Sequence, residues 1–445
     1  MQRRSLVLGG MLLSFFGAAA AAQKTARPKT TAAKAATTTS VQAPVFEVDL
    51  LWPKPMPNRW ILGSATGLAV DAHDNIFVLN LTDSFNARTE SGSGTNPPTG
   101  ECCTPAPNIL EYDASGALVG NWGGPADGYV WPTSNAGLGI DGAGNVWVGG
   151  AGAIDTRILK FAPNGRFFAE FGNASQQARG AGGTAGESDT SYGGVSPARP
   201  AAGAAGRGGR GGRAATPPLP ANSTSLSMFG GADGFSFDPQ HNEVYVADGS
   251  RNHRVVVLDG GAGAVKRMWG AYGNKPVDAE VTPYVPGGTP SKQFGSPVLC
   301  AKYSLDSLVY VCDTQNDRIQ VFKRDGSFVK EKIIAPQTLG TGSVWDVAFS
   351  ADPAQKYLYV ADGMNMKVHV LDRQSLDELT SFGDGGRQPG QFYAIHNIAT
   401  DSKGNIYTAE TYEGKRVQKF TFKGVRSVTK TNQGVVWPAT PGKKP

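Results

Sequence analysis

VYVADGSRNHRVVVLD, residues 244–259, consists of two short β-forming runs joined by a polar segment that ends on Asn252, His253 and Arg254. The runs are rich in Val and too short for a buried helix, so they read as neighbouring antiparallel strands. The same plan returns in VYVCDTQNDRIQVF (309–322), LYVADGMNMKVHVL (358–371) and IYTAETYEGKRVQKF (406–420): an acid closes one strand and a basic residue opens the next.

A further apolar strand and a polar turn precede each pair. TGLAVDAHDNIFVLN (66–80), AGLGIDGAGNVWVGG (136–150), DGFSFDPQHNEVYVAD (233–248), PVLCAKYSLDSLVYVCD (297–313), WDVAFSADPAQKYLYVAD (345–362) and HNIATDSKGNIYTAE (396–410) all read as hairpins. A fourth segment commonly ends in an aromatic residue and glycine, as in FFAEFG (167–172) and ELTSFG (378–383). Six units of four antiparallel strands predict an all-β chain folded as a six-bladed β-propeller.

The anchors Arg157, Arg254, Arg318, Lys367 and Arg416 are spaced by 97, 64, 49 and 49 residues. The bare unit is therefore close to 49, and the excess marks insertions at 82–106, 173–222 and 271–293. FEVDLLW (46–52) is expected to seal the ring by joining a C-terminal blade.

The flanks divide as 1–22, 23–44, the propeller at 45–430, and a C-terminal tail at 431–445. Residues 1–22 carry Arg3 and Arg4, then an apolar run too short for a membrane span, then small residues suited to cleavage. This predicts an export signal, of either twin-arginine or ordinary type, and a periplasmic or secreted protein. Residues 23–44 are Ala, Thr, Lys and Pro with little to bury, and read as a disordered spacer. No later run is long enough to span a bilayer.

The formal net charge is +5. Residues 1–44 hold six basic side chains and 173–222 a net three positive charges, which leaves the remainder at −4. A nucleic-acid footprint on the folded body is not expected, and AGRGGRGGR (205–213) reads as a flexible insertion. Walker loops, Ser-His-Asp motifs and haem-attachment CxxCH are lacking. Four cysteines in an exported chain allow three pairings. Cys102 with Cys103 and Cys300 with Cys312 is preferred, two buried thiols at 300 and 312 being the alternative.

GNIYTAE, VYVADGSRNHRVVVLD and VYVCDTQNDRIQVFKRDGSF resemble NHL repeats, the likeness running over roughly residues 60–425. It implies a closed propeller. Among secreted propellers the chain is similar to the peptidyl-α-hydroxyglycine amidating lyase domain, which holds zinc with a His at the inner-strand start of three blades. Here only His396 occupies such a place, and Asn397 follows it. Calcium-dependent lactonase-like hydrolases are a second enzymatic resemblance, in which Glu, Asp and Asn hold a cation in the channel.

The chain has five histidines. His73 and His241 fall in hairpin turns, His369 on a strand face, and His253 where other blades carry Thr156, Asp317, Met366 and Lys415, so its role reads as turn-forming with the ring near the surface. His396 opens an inner strand and is expected at the channel mouth, near Glu410 and Tyr412. Its counterparts in the other blades are Thr66, Ala136, Asp233, Pro297 and Trp345.

The candidate site is thus His396 and Tyr412 for catalysis, Asp233, Asp346, Asn397 and Glu410 for ligand binding, and His396, Asp233 and Asp346 for a divalent cation, Ca or Zn. Asp248, Asp313 and Asp362 are expected to serve the turn chemistry of the repeat. The insertions should emerge at the same mouth. A monomeric scaffold binding a peptide, glycan or protein is the leading expectation, with metal-dependent lyase or lactonase chemistry as the alternative.

Overall fold

The computed structural model describes residues 40–86, 89–172 and 219–438. The expected signal, most of the spacer, the RGG tract and the last residues of the tail lie outside them. No helix among the described residues is long and apolar enough to cross a membrane.

Six sheets of four antiparallel strands form the ring. Blade 1 comprises Ser64–Val70, Ile76–Leu81, Ile109–Tyr112 and Leu118–Trp122, and blade 2 Asn135–Ile140, Val146–Gly150, Arg157–Phe161 and Phe167–Gly172. Blade 3 is Ala232–Asp238, Glu243–Asp248, Arg254–Asp259 and Val265–Trp269; blade 4 is Val298–Tyr303, Leu308–Asp313, Arg318–Lys323 and Phe328–Ile333. Blade 5 is Asp346–Phe349, Tyr357–Asp362, Lys367–Asp372 and Glu378–Phe382. Blade 6 takes Ile395–Thr400, Ile406–Glu410 and Arg416–Val428 from the C-terminal end, and its outer strand, Val41–Val48, from the N-terminal end.

That last pairing closes the ring, as FEVDLLW suggested. Phe46 pairs with Phe422 and Val48 with Phe420, and the Phe46 ring lies 5.5 Å from Tyr359 and 5.4 Å from Phe382 in blade 5. Val41–Val48 thereby covers the edge of Arg416–Val428 and becomes the outer strand of blade 6. The strand starts at Val41, within the segment read as spacer, because Val41 and Ala43 find partners in Val428 and Arg426. Residues 431–437 are likewise tied down: Ser381 and Thr431, Gln433 and Ser381, and Gly383 and Gly434 share backbone hydrogen bonds along blade 5.

Short polar motifs set the turns. In blades 1, 2 and 6 the inner hairpin turns on Asp-x-x-x-Asn: Asp71, Asp141 and Asp401 each accept the amides of the second and fourth residues beyond. Such Asx geometry satisfies tight-turn amides without a neighbouring strand. Apolar cores fill the spaces between blades, for example Trp269, Phe294 and Phe322 between blades 3 and 4.

The histidine of the opening stretch takes its place here. His253, Asp317, Met366 and Lys415 all have left-handed backbone, with φ between 45° and 56°. In blades 3 to 6 the residue before the basic anchor makes a sharp corner that most side chains avoid, and Asn, Asp and His tolerate it best. His253 is half-buried rather than on the surface, its Nδ1 being 3.0 Å from the carbonyl of Gly295 in the next blade. Burial holds its pKa below the usual imidazole value. His369 bonds within its own blade, to Asp362 and Glu378.

Candidate functional site

The acid and base that recur around the third strand are structural clamps. The Arg254 Nε donates to Asp248 at 2.7 Å, Arg318 to Asp313 at 2.6 Å, and Arg416 to Glu410 at 2.8 Å. The acids also cap amides at the entry to the inner strand: Gly230 on Asp248, Gly295 on Asp313 and Tyr393 on Glu410. Other guanidinium N–H groups donate to carbonyls of the preceding connection, such as Ser223 and Ser225 for Arg254 and Gln293 for Arg318, while Arg318 Nη1 donates to the Tyr272 hydroxyl. Each clamp thereby fastens a mouth loop to its blade.

Glu410, expected among the ligand-binding groups, is fully buried in such a clamp, with Gln418 donating to it as well. Burial nevertheless pushes its pKa up, with Arg416 opposing the rise.

A β-bulge interrupts the inner strand where it opens at the mouth. The ladder skips between Ala65 and Gly67, Ala136 and Leu138, Ala232 and Gly234, Val298 and Cys300, and Ile395 and Asn397. The extra residues are Thr66, Gly137, Asp233, Leu299 and His396. In blade 5 the ladder begins at Asp346 opposite Ala361 and places Trp345 at the equivalent point. The counterparts of His396 in blades 2 and 4 are therefore Gly137 and Leu299, not Ala136 and Pro297. A bulge inserts one residue and redirects its side chain, a shift that hydrophobic periodicity does not register.

Neighbouring members of this ring touch. A Cβ on Gly137 would lie 3.0 Å from the Asp233 carbonyl oxygen, and one on Gly234 2.6 Å from that of Leu299. Leu299, Trp345 and Ala394 form one apolar cluster, against which Tyr393 and Tyr412 pack. The Trp345 ring stands 5.8 Å from His396 and 6.4 Å from Tyr412. Thr66, Asp233, Leu299, Trp345 and His396 are all buried.

Of the expected site residues, the fold joins Asp346, Asn397 and His396 directly. The Asp346 carboxylate accepts from Lys302 at 3.2 Å, from the Ile398 amide and from the Asn397 amide nitrogen, whose oxygen faces His396 Nδ1 at 2.7 Å. A polar chain thus runs along inner strands of blades 4, 5 and 6. Burial lowers the His396 pKa, against hydrogen bonding to Asn397 and the Asp346 charge. Tyr412 reaches the group through Trp345, and its backbone carbonyl accepts from Ser64 in blade 1. Burial raises its phenol pKa.

Asp233 stands apart in blade 3, diametrically opposite blade 6 in a six-membered ring, and takes both carboxylate hydrogen bonds from Ser250. Burial pushes its pKa well above the usual carboxylate value. A catalytic zinc takes three protein ligands. Donor atoms of His396, Asp233 and Asp346 do not lie mutually within 4.8 Å, whereas those of Cys300, Cys312 and Asp346 do. Those two sulfurs are joined in a disulfide, as are Cys102 and Cys103, so they stand as neutral disulfide sulfurs and not as thiolates. His396, Asp233 and Asp346 are not gathered as a three-ligand zinc set.

Two of the insertions, 82–106 and 271–293, lie largely within the described residues. The one in blade 1 reaches blade 6 through Glu90 and Lys415, 2.7 Å apart. Ser223, just beyond the 173–222 insertion, most of which lies outside the described residues, donates its amide to Asp278 in the 271–293 insertion. Trp345, Tyr393 and Leu299 were not among the expected site residues. For Trp345 the signal was present, since the repeat aligned it with His396. No protein-family model matches the chain.

Proposed function

We propose that the chain is an exported NHL-repeat propeller that acts as a binding scaffold, taking a peptide, glycan or protein at the mouth surrounding Trp345. The observation that carries this reading is the aromatic group itself. Trp345 lies beneath, and the half-buried rings of Tyr393 and Tyr412 pack beside it, with the Arg387 guanidinium 5.1 Å from the Tyr393 ring. Aromatic faces with a few polar tips suit sugars and extended peptides alike. The long connections at 82–106 and 271–293 add support, since recognition concentrates in loops held by a scaffold. Export is supported by Arg3 and Arg4 ahead of the apolar run. The NHL reading is supported by the recurring acid, left-handed corner and basic anchor.

Catalysis through His396 and Tyr412, or through a channel metal, has less support. His396 is buried against Trp345, and the nearby carboxylates are already engaged. The test is a peptide and glycan array probed with the full chain, the Tyr393→Ala and Tyr412→Ala variants, and Lys403→Ala at the opposite mouth. Hits should weaken tenfold or more with either tyrosine variant and persist with Lys403→Ala. Binding indifferent to both tyrosines would remove the proposal.

A further inference from the structure

Three buried oxygens without hydrogen-bond partners occur in two segments that touch beside blade 4: Asp317 Oδ2, Thr314 Oγ1 and Thr341 Oγ1. Thr314 and Asp317 are both fully buried. They are linked by the Asp317 amide, which donates to the Thr314 carbonyl at 3.0 Å, so one short turn presents both side chains. The segment carrying Thr341 lies directly on that turn. The Ser343 amide donates to Asp317 Oδ1 at 2.8 Å, and a Cβ on Gly342 would overlap the Thr314 carbonyl.

The charges around Asp317 are unbalanced. Asp313 is neutralised by Arg318 and Asp362 by His369. Among the described residues no lysine, arginine or histidine pairs with Asp317. Tyr284 is close enough for its phenol to sense the carboxylate, and it lines a surface cleft with Gln293 and Asn316. An uncompensated carboxylate in a dry site is strongly disfavoured, and unsatisfied buried oxygens call for a missing partner.

We propose that this partner is a hard, oxygen-preferring cation, and that Asp317, Thr314 and Thr341 form a Ca2+ site. All three donors are oxygens, which disfavours soft metals. A ligand set of one carboxylate and two hydroxyls, completed by carbonyls or water, suits the flexible coordination of Ca2+ better than the strict octahedron of Mg2+. The site fastens the turn of blade 4 to the entry of blade 5, away from the candidate donors of the channel.

The experiment is a thermal-unfolding titration of the full chain, stripped with EDTA and then given CaCl2 or MgCl2, with calorimetric stoichiometry. Wild type should gain a few degrees in Tm with Ca2+ and little with Mg2+, binding one ion. Asp317→Asn keeps an acceptor for Ser343 and should lose both the shift and the ion, while being at least as stable in EDTA. Thr314→Val, which leaves the carboxylate in place, should weaken Ca2+ binding without abolishing it. An unchanged wild-type Tm, or equal Ca2+ responses from wild type and Asp317→Asn, would overturn the proposal and leave a protonated carboxyl with buried water as the explanation.

Discussion

The indole of Trp345 meets the imidazole of His396 edge-on, ring planes at 87° and centroids 5.8 Å apart. Blade 5 thereby covers the histidine that blade 6 sends to the channel mouth. Trp345→Ala should let water reach His396 and bring its pKa up toward the ordinary 6.5, because burial is the main cause of the depression. An NMR titration of the imidazole checks this. The lost packing should cost about 3–5 kcal/mol in denaturant unfolding.

Arg318 and Asp313 are both buried in their clamp. Arg318→Ala should destabilise the fold by about 3–5 kcal/mol, because it leaves an uncompensated charge. Arg318→Met combined with Asp313→Asn should recover a substantial part of that. A double substitution no more stable than Arg318→Ala alone would show that the loop carbonyls, and not the carboxylate, depend on the guanidinium.

His369 is surrounded by Asp362 and Glu378, whose hydrogen bonds outweigh burial and raise its pKa to about 9. The folded value exceeds the unfolded one, so this contribution is complete below pH 6.5 and fades as pH rises through about 9. It amounts to about 3 kcal/mol. The stability difference between wild type and His369→Gln should shrink across that window, as read from unfolding curves at several pH values.

Closure of the ring rests on Val41–Val48. Phe46→Ala should cost about 3–5 kcal/mol. Deleting residues 41–48 should expose the edge of Arg416–Val428 and promote self-association, measurable by light scattering.

The two disulfides differ in access. Cys102 is exposed, whereas Cys300 and Cys312 are fully buried. Under native conditions a thiol reductant should open the 102–103 bond first, and alkylation with mass mapping should find 300–312 intact until the protein unfolds. Simultaneous opening would show that the buried pair is reached by local fluctuation.

Much of the architecture was legible in the sequence because it is local. A period near 49 residues, Val-rich runs and Asp-x-x-x-Asn turns specify hairpins within a few residues of themselves, and six copies imply the ring. The left-handed corner explains why His253, Asp317, Met366 and Lys415 vary in chemistry yet share a place. The closing strand, too, was visible as an unpartnered apolar run.

The mouth was legible only in part. His396, Asn397, Asp346 and Tyr412 were placed near one another by repeat alignment, but a bulge shifts the register by one residue without altering the apolar pattern. Gly137 and Leu299 therefore took positions expected for Ala136 and Pro297. Whether Glu410 meets a ligand or Arg416, whether Trp345 covers His396, and whether any base faces Asp317 depend on groups brought together from other blades and loops. The sequence by itself determined the strands, their number and their turns, since these follow from short-range patterning. Only the tertiary structure decided which polar side chains satisfy one another and which stand without a partner, because burial and charge pairing are set by neighbours distant in the chain.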